Sequence, residues 1–151
     1  MHGPVVRLHP DAFDALAVLA AWHRELAAAG LGPAAEAHFL GRVRGVTAAG
    51  ARLDALELEH YPGMTEAQIE RLAAACARAH GLAAVRVDHR VGRILPGEPV
   101  VLVAVAADRR GAALRGAGEL LEALKHEAPF WKREWSGGTG TWTANTPLEG
   151  S

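Results

Sequence analysis

The run Val100-Val101-Leu102-Val103-Ala104-Val105-Ala106 decides the fold. The turn-forming segment Leu95-Pro96-Gly97-Glu98-Pro99 leads into it, and the charged Asp108-Arg109-Arg110-Gly111 ends it. It is far too short to span a bilayer. A short apolar run between such signals reads as a central strand covered on both faces. Working outward, Val5–Leu8, Ala35–Leu40, Leu53–His60 and Ala84–Val91 read as further strands. Helices are expected from a cap at Asp11 to about Ala29, where Gly30 stops the chain, from a Thr65/Gln68 capping box to about His80, and from Leu114 to Glu127. Strands and helices in this order predict an α+β domain, a mixed or antiparallel sheet with helices packed on it.

Spacing assigns faces to these elements. In the first helix Phe13, Leu16, Ala20, His23 and Ala27 recur at helical intervals, which makes His23 a core-edge histidine. In the second, Ile69, Leu72, Ala73, Cys76 and Ala79 form the buried face, so Cys76 reads as a small core residue and not a nucleophile. Leu56 and Leu58 face inward on their strand, and Glu57 and Glu59 face the other way. Gly45–Gly50 reads as a mobile small-residue loop. Residues 1–135 are expected to form one catalytic domain, with 136–151 a loosely held tail that Trp142 docks locally.

Composition removes several function classes. The chain has 151 residues, half of them apolar, and a net charge of -1. There is therefore no global basic field for nucleic acid. No signal peptide or membrane span is read. The single cysteine rules out a disulfide framework within the chain and suits a cytoplasmic setting. There is no nucleotide-binding glycine loop, no G-x-S-x-G elbow and no H-E-x-x-H, and no metal or other cofactor is indicated.

The remaining chemistry is cationic. Arg42 and Arg44 flank Val43 at a strand end and point to one face, as an anion site or as partners of Glu57 or Glu59. Arg109 and Arg110 precede a helix whose N-terminal N–H groups also favour anions. Lys125 sits beside the apolar stripe of the last helix. Either its stem packs and its ammonium reaches water, or the ammonium is held near a low-dielectric pocket where its pKa falls. Pro129 should end that helix near Glu127, and Phe130-Trp131 should anchor a turn that carries Lys132, Arg133 and Glu134. Together these clusters point to a small anionic ligand, a phosphate above all.

Four segments taken together resemble the large, catalytic subunit of molybdopterin synthase. Gly41-Arg42-Val43-Arg44 is similar to that family's G-x-V-R. Leu56-Glu57-Leu58-Glu59-His60-Tyr61-Pro62-Gly63-Met64 is similar to its L-x-L-E-H-Y-x-x-M. His89-Arg90-Val91-Gly92 followed by Pro96-Gly97-Glu98 is similar to its H-R-x-G…P-G-[DE], and Ala128-Pro129-Phe130-Trp131-Lys132-Arg133-Glu134 to its A-P-[FI]-W-K-[KR]-E. The resemblance spans about residues 5–143.

It implies an α/β hammerhead fold with a small added β subdomain, and a homodimer at the centre of a heterotetramer. The implied outer partner is a small ubiquitin-like sulfur carrier whose C-terminal Gly-Gly ends as a thiocarboxylate. The implied reaction uses that sulfur to turn cyclic pyranopterin monophosphate into the dithiolene of molybdopterin. Lys125 and Lys132 would be catalytic. Arg42, Val43, Arg44, Arg109, Arg110, Lys125, Lys132, Arg133 and Glu134 would bind substrate. Arg109 stands where the family usually has histidine, which removes a group able to titrate near neutral pH. That departure also leaves open a non-catalytic paralogue that binds carrier or pterin phosphate without turnover.

Overall fold

The computed structural model describes residues 2–143. Its elements are β1 (Val5–His9), α1 (Ala15–Ala28), β2 (Ala35–Arg42), β3 (Ala55–His60), α2 (Met64–His80), β4 (Ala84–Arg90), β5 (Gly92–Ile94), β6 (Pro99–Ala107), α3 (Arg110–Glu127), β7 (Phe130–Ser136) and β8 (Thr139–Thr143). They form two four-stranded sheets, ordered β1-β4-β6-β2 and β5-β3-β7-β8. The first is mixed, since β1 runs parallel to β4 while β4–β6 and β6–β2 are antiparallel. The second is wholly antiparallel. The α+β reading holds, and the apolar run is the interior strand β6.

Alternation along β4 and β6 sorts the core into two layers. Val85 and Val87 join Val101, Val103 and Val105 beneath α2 and α3. Ala84, Ala104 and Ala106 lie on the other face, under Trp22 and Leu26 of α1. Burying each of these branched side chains contributes about 1.5–3 kcal/mol, so β6 is covered on both sides as its composition requires. Val43, Leu53, Leu56, Leu58 and Ile94 form a smaller core in the second sheet, and Val100 packs against both this core and the one under α2 and α3.

Several local expectations are corrected. Helix α1 is capped by Asp14, whose carboxylate accepts from the Leu16 and Ala17 N–H groups, and not by Asp11. Its buried face is Ala15, Leu19, Trp22 and Leu26, one step round from the expected stripe. Leu16 and His23 point to water because Trp22, the bulkiest apolar side chain on the helix, takes the core position. In α2 the cap is one-sided, the Gly63 N–H donating to the Glu66 carboxylate. Thr65 is instead buried, its hydroxyl accepting from Tyr61 N–H and donating to Pro129 O. Ala79 is exposed and Ala77 packs on the core in its place. Helix α3 starts at Arg110, four residues before Leu114.

The largest difference lies beyond Pro129. Phe130 does not anchor a turn but opens β7, which continues through Ser136 and pairs with β8 across Gly137-Gly138. The expected boundary between 135 and 136 thus falls inside a strand, and the first part of the expected tail is a hairpin. Residues 144–151 lie outside the described residues. The loop Gly45–Gly50 is likewise held: Val46 bridges to Arg52, and the Thr47 N–H and C=O both bond within the loop.

Candidate active site

Strand β7 places its residues on two faces. Phe130 and Lys132 face α3, and Trp131, Arg133 and Trp135 face away. On the inner side a cavity of about 190 Å³ opens between the two sheets, walled by Leu56, Leu58, Val100, Val101, Leu121, Leu124, Ala128 and Phe130. Its polar lining is Lys125, Lys132 and His89. No acid lines it.

Lys125 occupies the last turn of α3, which Ala128 ends in an extended conformation one residue before Pro129. The ammonium is thereby held at the apolar wall. Burial lowers its pKa from the ordinary 10.5; Glu122, one turn back, opposes this, and Lys132 and Arg44 add to it. Lys125 thus lines the cavity, and its surroundings favour the neutral amine more than water does. His89 was not singled out from the sequence, although its place in the alternation with Val85 and Val87 carried the signal. Burial holds its pKa down to about 4; the bond from Nδ1–H to the Arg90 carbonyl opposes that, and the Lys125 charge reinforces it. His89 is therefore neutral at pH 7.

Motif residues that do not line the cavity brace the turn that leads into β6. Arg90 is buried, donates to the Arg93 carbonyl at 3.0 Å and stands 3.5 Å from Glu98. Glu98 also accepts from Leu95 N–H, so the H-R-x-G and P-G-E segments lock the turn between β5 and β6. Val43 is buried and exchanges backbone bonds with Gly97 and Glu98. A register shift between Gly41 and Arg42 ends β2 there, so Arg42 and Arg44 are not a regular strand pair, though both are exposed. Neither pairs with Glu57 or Glu59, which instead face Arg133 at 3.8 and 4.0 Å.

Of the expected substrate-binding residues, only Lys125 and Lys132 line the cavity. The Arg133 guanidinium lies 3.9 Å from the Trp142 ring centroid and 5.2 Å from that of Trp135, on the outer face of the second sheet. The Glu134 carboxylate accepts from Ala48 N–H and so ties down the Gly45–Gly50 loop. Arg109 and Arg110 are exposed at the opposite end of α3. Fifteen residues at 1.5 Å each put the Arg110 backbone about 22 Å along the axis from that of Lys125, and neither arginine lines the Lys125 cavity within its own copy of the chain.

The model of the family described as MoaE protein matches residues 10–127. The chain belongs to the MoaE family. It is 44% identical over 147 residues to the molybdopterin synthase catalytic subunit of Rhizobium meliloti (strain 1021), covering 95% of this chain and 90% of that one. It is 37% identical over 129 residues to the subunit of the same name from Pseudomonas aeruginosa, covering 85% and 83%. The solved MoaE protein from Burkholderia ambifaria MC40-6 superposes with a TM-score of 0.77 at 38% identity, covering 92% of this chain and 88% of that one. A complex of subunits 1 and 2 of the molybdopterin-converting factor from Helicobacter pylori 26695 shares the fold, with a TM-score of 0.75 at 23% identity, covering 97% and 92%. The α/β-hammerhead-type fold expected of this MoaE chain is therefore present. So is the expected class of activity, an enzyme subunit, a sulfurtransferase, of molybdenum-cofactor biosynthesis. Among the described residues no helix is long and apolar enough to cross a membrane.

Proposed function

We propose that the cavity around Lys125 is where sulfur passes from the thiocarboxylate of a small ubiquitin-like carrier to cyclic pyranopterin monophosphate, giving the dithiolene of molybdopterin. The observation that carries this reading is a lysine of lowered pKa in a cavity whose lining, among the described residues, holds two ammonium groups and no acid. Such a site favours anions, and both reactants are anionic. As sulfur bonds to carbon, that carbon's bond to the phosphate oxygen breaks and negative charge collects on the oxygen. A preorganised ammonium stabilises it, and one of lowered pKa gives up its proton to it more readily. Water then cleaves the acyl–sulfur bond, releasing the carrier as its carboxylate, and a second thiocarboxylate supplies the second sulfur.

Lys125 acts at the leaving oxygen and the thiocarboxylate, and Lys132 assists. Arg44 sits close enough to lower the Lys125 pKa, which suits it to hold the phosphate beside them. Arg42 extends the same cationic rim. The carrier's narrow Gly-Gly tail suits the apolar walls, and the chain itself supplies no nucleophilic thiol: Cys76 donates to the Gly116 carbonyl, and its pKa is raised by burial.

Arg109 and Arg110 serve the site of a neighbouring copy within a homodimer, the core of a heterotetramer with two carriers. The neutral His89 stands beside Lys125 whatever occupies position 109, so the family's missing histidine does not leave the cavity without an imidazole. A cytoplasmic setting suits this chemistry.

The test is reconstitution with a thiocarboxylated carrier and cyclic pyranopterin monophosphate, assayed for the dithiolene pterin. Product that disappears with Lys125→Ala is expected. A Lys125→Ala protein that folds normally and keeps full turnover would overturn the assignment. A stable carrier complex without product from the unaltered chain would favour the non-catalytic reading.

A further inference from the structure

Helix α1 and strand β2 bring three metal-ligating side chains together on the face of the first sheet opposite α2 and α3. His23 Nε2 lies 2.6 Å from Glu36 Oε1, and His38 Nε2 lies 3.1 Å from the same oxygen. The three ligand atoms all fall within 4.8 Å of one another, and this is the one such group of three among the described residues.

The sequence dictates this convergence. Glu36 and His38 are two apart on a strand and share a face. Their ladder partners are Ala106 and Ala104, whose methyl groups leave room for the fully buried Trp22 ring. That ring lies 6.0 Å from the His23 ring and 6.4 Å from that of His38. Trp22 thus pins α1 so that the next residue, His23, overhangs the two β2 ligands. Because β2 is an edge strand, the cluster is open to water, with side-chain exposures of 50%, 32% and 31% for His23, Glu36 and His38.

The geometry points to a divalent transition-metal site, Zn2+ foremost, ligated by His23 Nε2, Glu36 Oε1 and His38 Nε2, with water completing the shell. Two imidazoles and a carboxylate are a donor set that suits Zn2+, Ni2+ or Cu2+ and not the all-oxygen shells of Mg2+ or Ca2+. Tetrahedral donors about 2.1 Å from a zinc ion stand about 3.4 Å apart. The separation of 3.1 Å therefore needs to open by about 0.3 Å and that of 2.6 Å by about 0.8 Å, which part-exposed side chains do by small rotations.

Without metal, Glu36 Oε1 accepts from both Nε2–H groups. On loading, each neutral ring carries its proton on Nδ1, so the Nε2 lone pair meets the ion and the carboxylate stays ionised. The bound ion cross-links α1 to the sheet edge. The site is independent of the sulfur-transfer reading, since its residues lie on the far side of β6 from Lys125.

The test uses the full chain without an affinity tag, stripped with chelator and titrated with ZnCl2 by calorimetry. Co2+ absorption reads the coordination directly. One equivalent of Zn2+ is expected to bind and to raise the unfolding midpoint. The affinity should fall roughly tenfold or more in Glu36→Gln, and the one-equivalent phase should vanish in the His23→Ala/His38→Ala double variant. The three side chains are part-exposed, so these variants should keep the far-UV dichroism of the parent. The absence of a saturable phase would overturn the site and leave a hydrogen-bonded His–Glu–His cluster only. So would equal binding by the double variant, which would move the metal to other histidines.

Discussion

The Phe130 ring lies flat on the His89 imidazole, centroids 4.2 Å apart and planes 18° from parallel. His89 belongs to the first sheet and Phe130 to the second, so this stack is a seam between them and a wall of the cavity that holds Lys125. Phe130→Ala removes both the stack and part of the apolar wall. Phe130 is only half-buried, so a loss of about 2–3 kcal/mol is expected, read as a lower urea midpoint, together with slower sulfur transfer from a loosened Lys125. An unchanged midpoint would show that the two sheets are held together elsewhere.

The same imidazole makes stability depend on pH. His89 has a folded-state pKa of about 4 against an ordinary 6.5. A lowered histidine value means that the unfolded chain binds the proton more readily. The stabilisation from neutral His89 is therefore intact above about pH 6.5 and is lost progressively as pH falls towards 4. His89→Phe keeps a flat ring but cannot titrate, so its stability should fall less steeply over that window than the parent's in matched denaturant titrations. Parallel curves would mean that the buried imidazole contributes nothing to acid sensitivity.

Lys125 should govern the alkaline side of turnover. Its pKa is lowered, so the ammonium proposed to act at the leaving oxygen is lost at a pH below the ordinary 10.5. Turnover is expected to decline as pH rises through that lowered value. Lys125→Arg keeps the charge but holds its proton throughout. It should bind the carrier while turning over at least about a hundredfold more slowly, in line with the usual worth of a positioned proton donor. Retention of an unchanged alkaline limb in Lys125→Arg would assign that limb to another group.

How much of this was legible in the sequence follows from which signals are local. The buried strand β6 and the helix stop at Ala128-Pro129 depend on composition and on one proline, and both were readable. Lys125 beside an apolar stripe was readable as an alternative; only the second sheet, arriving across the cavity, decides it. The rotation of α1 was missed because alanine fills so much of the helix that several stripes fit, and one tryptophan chooses among them. Strand β7 was missed because its cations draw the eye from a period-two pattern that matters only once β3 pairs with it. Sorting Arg133 from Lys132 needs that strand, since neighbouring residues on it face opposite sides.

That sorting has its own consequence. The Trp142 ring covers the Arg133 guanidinium on the outer face, opposite the cavity. Trp142→Ala should therefore cost about 0.5–1 kcal/mol of hairpin stability and leave sulfur transfer unaltered. A large loss of turnover with an unchanged denaturation midpoint would place the outer face of the second sheet in the reaction.

The separation of Arg110 from Lys125, about 22 Å along one helix, makes shared sites testable by mixing. Arg110→Ala and Lys125→Ala should each be nearly inactive alone if both groups serve the same reaction. Co-refolded in equal amounts as random dimers, half of the assemblies are mixed. In each mixed dimer one of the two sites pairs an intact Lys125 with an intact Arg110 from the other copy. Recovery of about one quarter of the parental turnover is then expected for a two-fold assembly with exchanged arginines. If Arg110 acts only within its own chain, every site in the mixture lacks one group and no activity returns. If Arg110 has no part in the reaction, Arg110→Ala alone is already active.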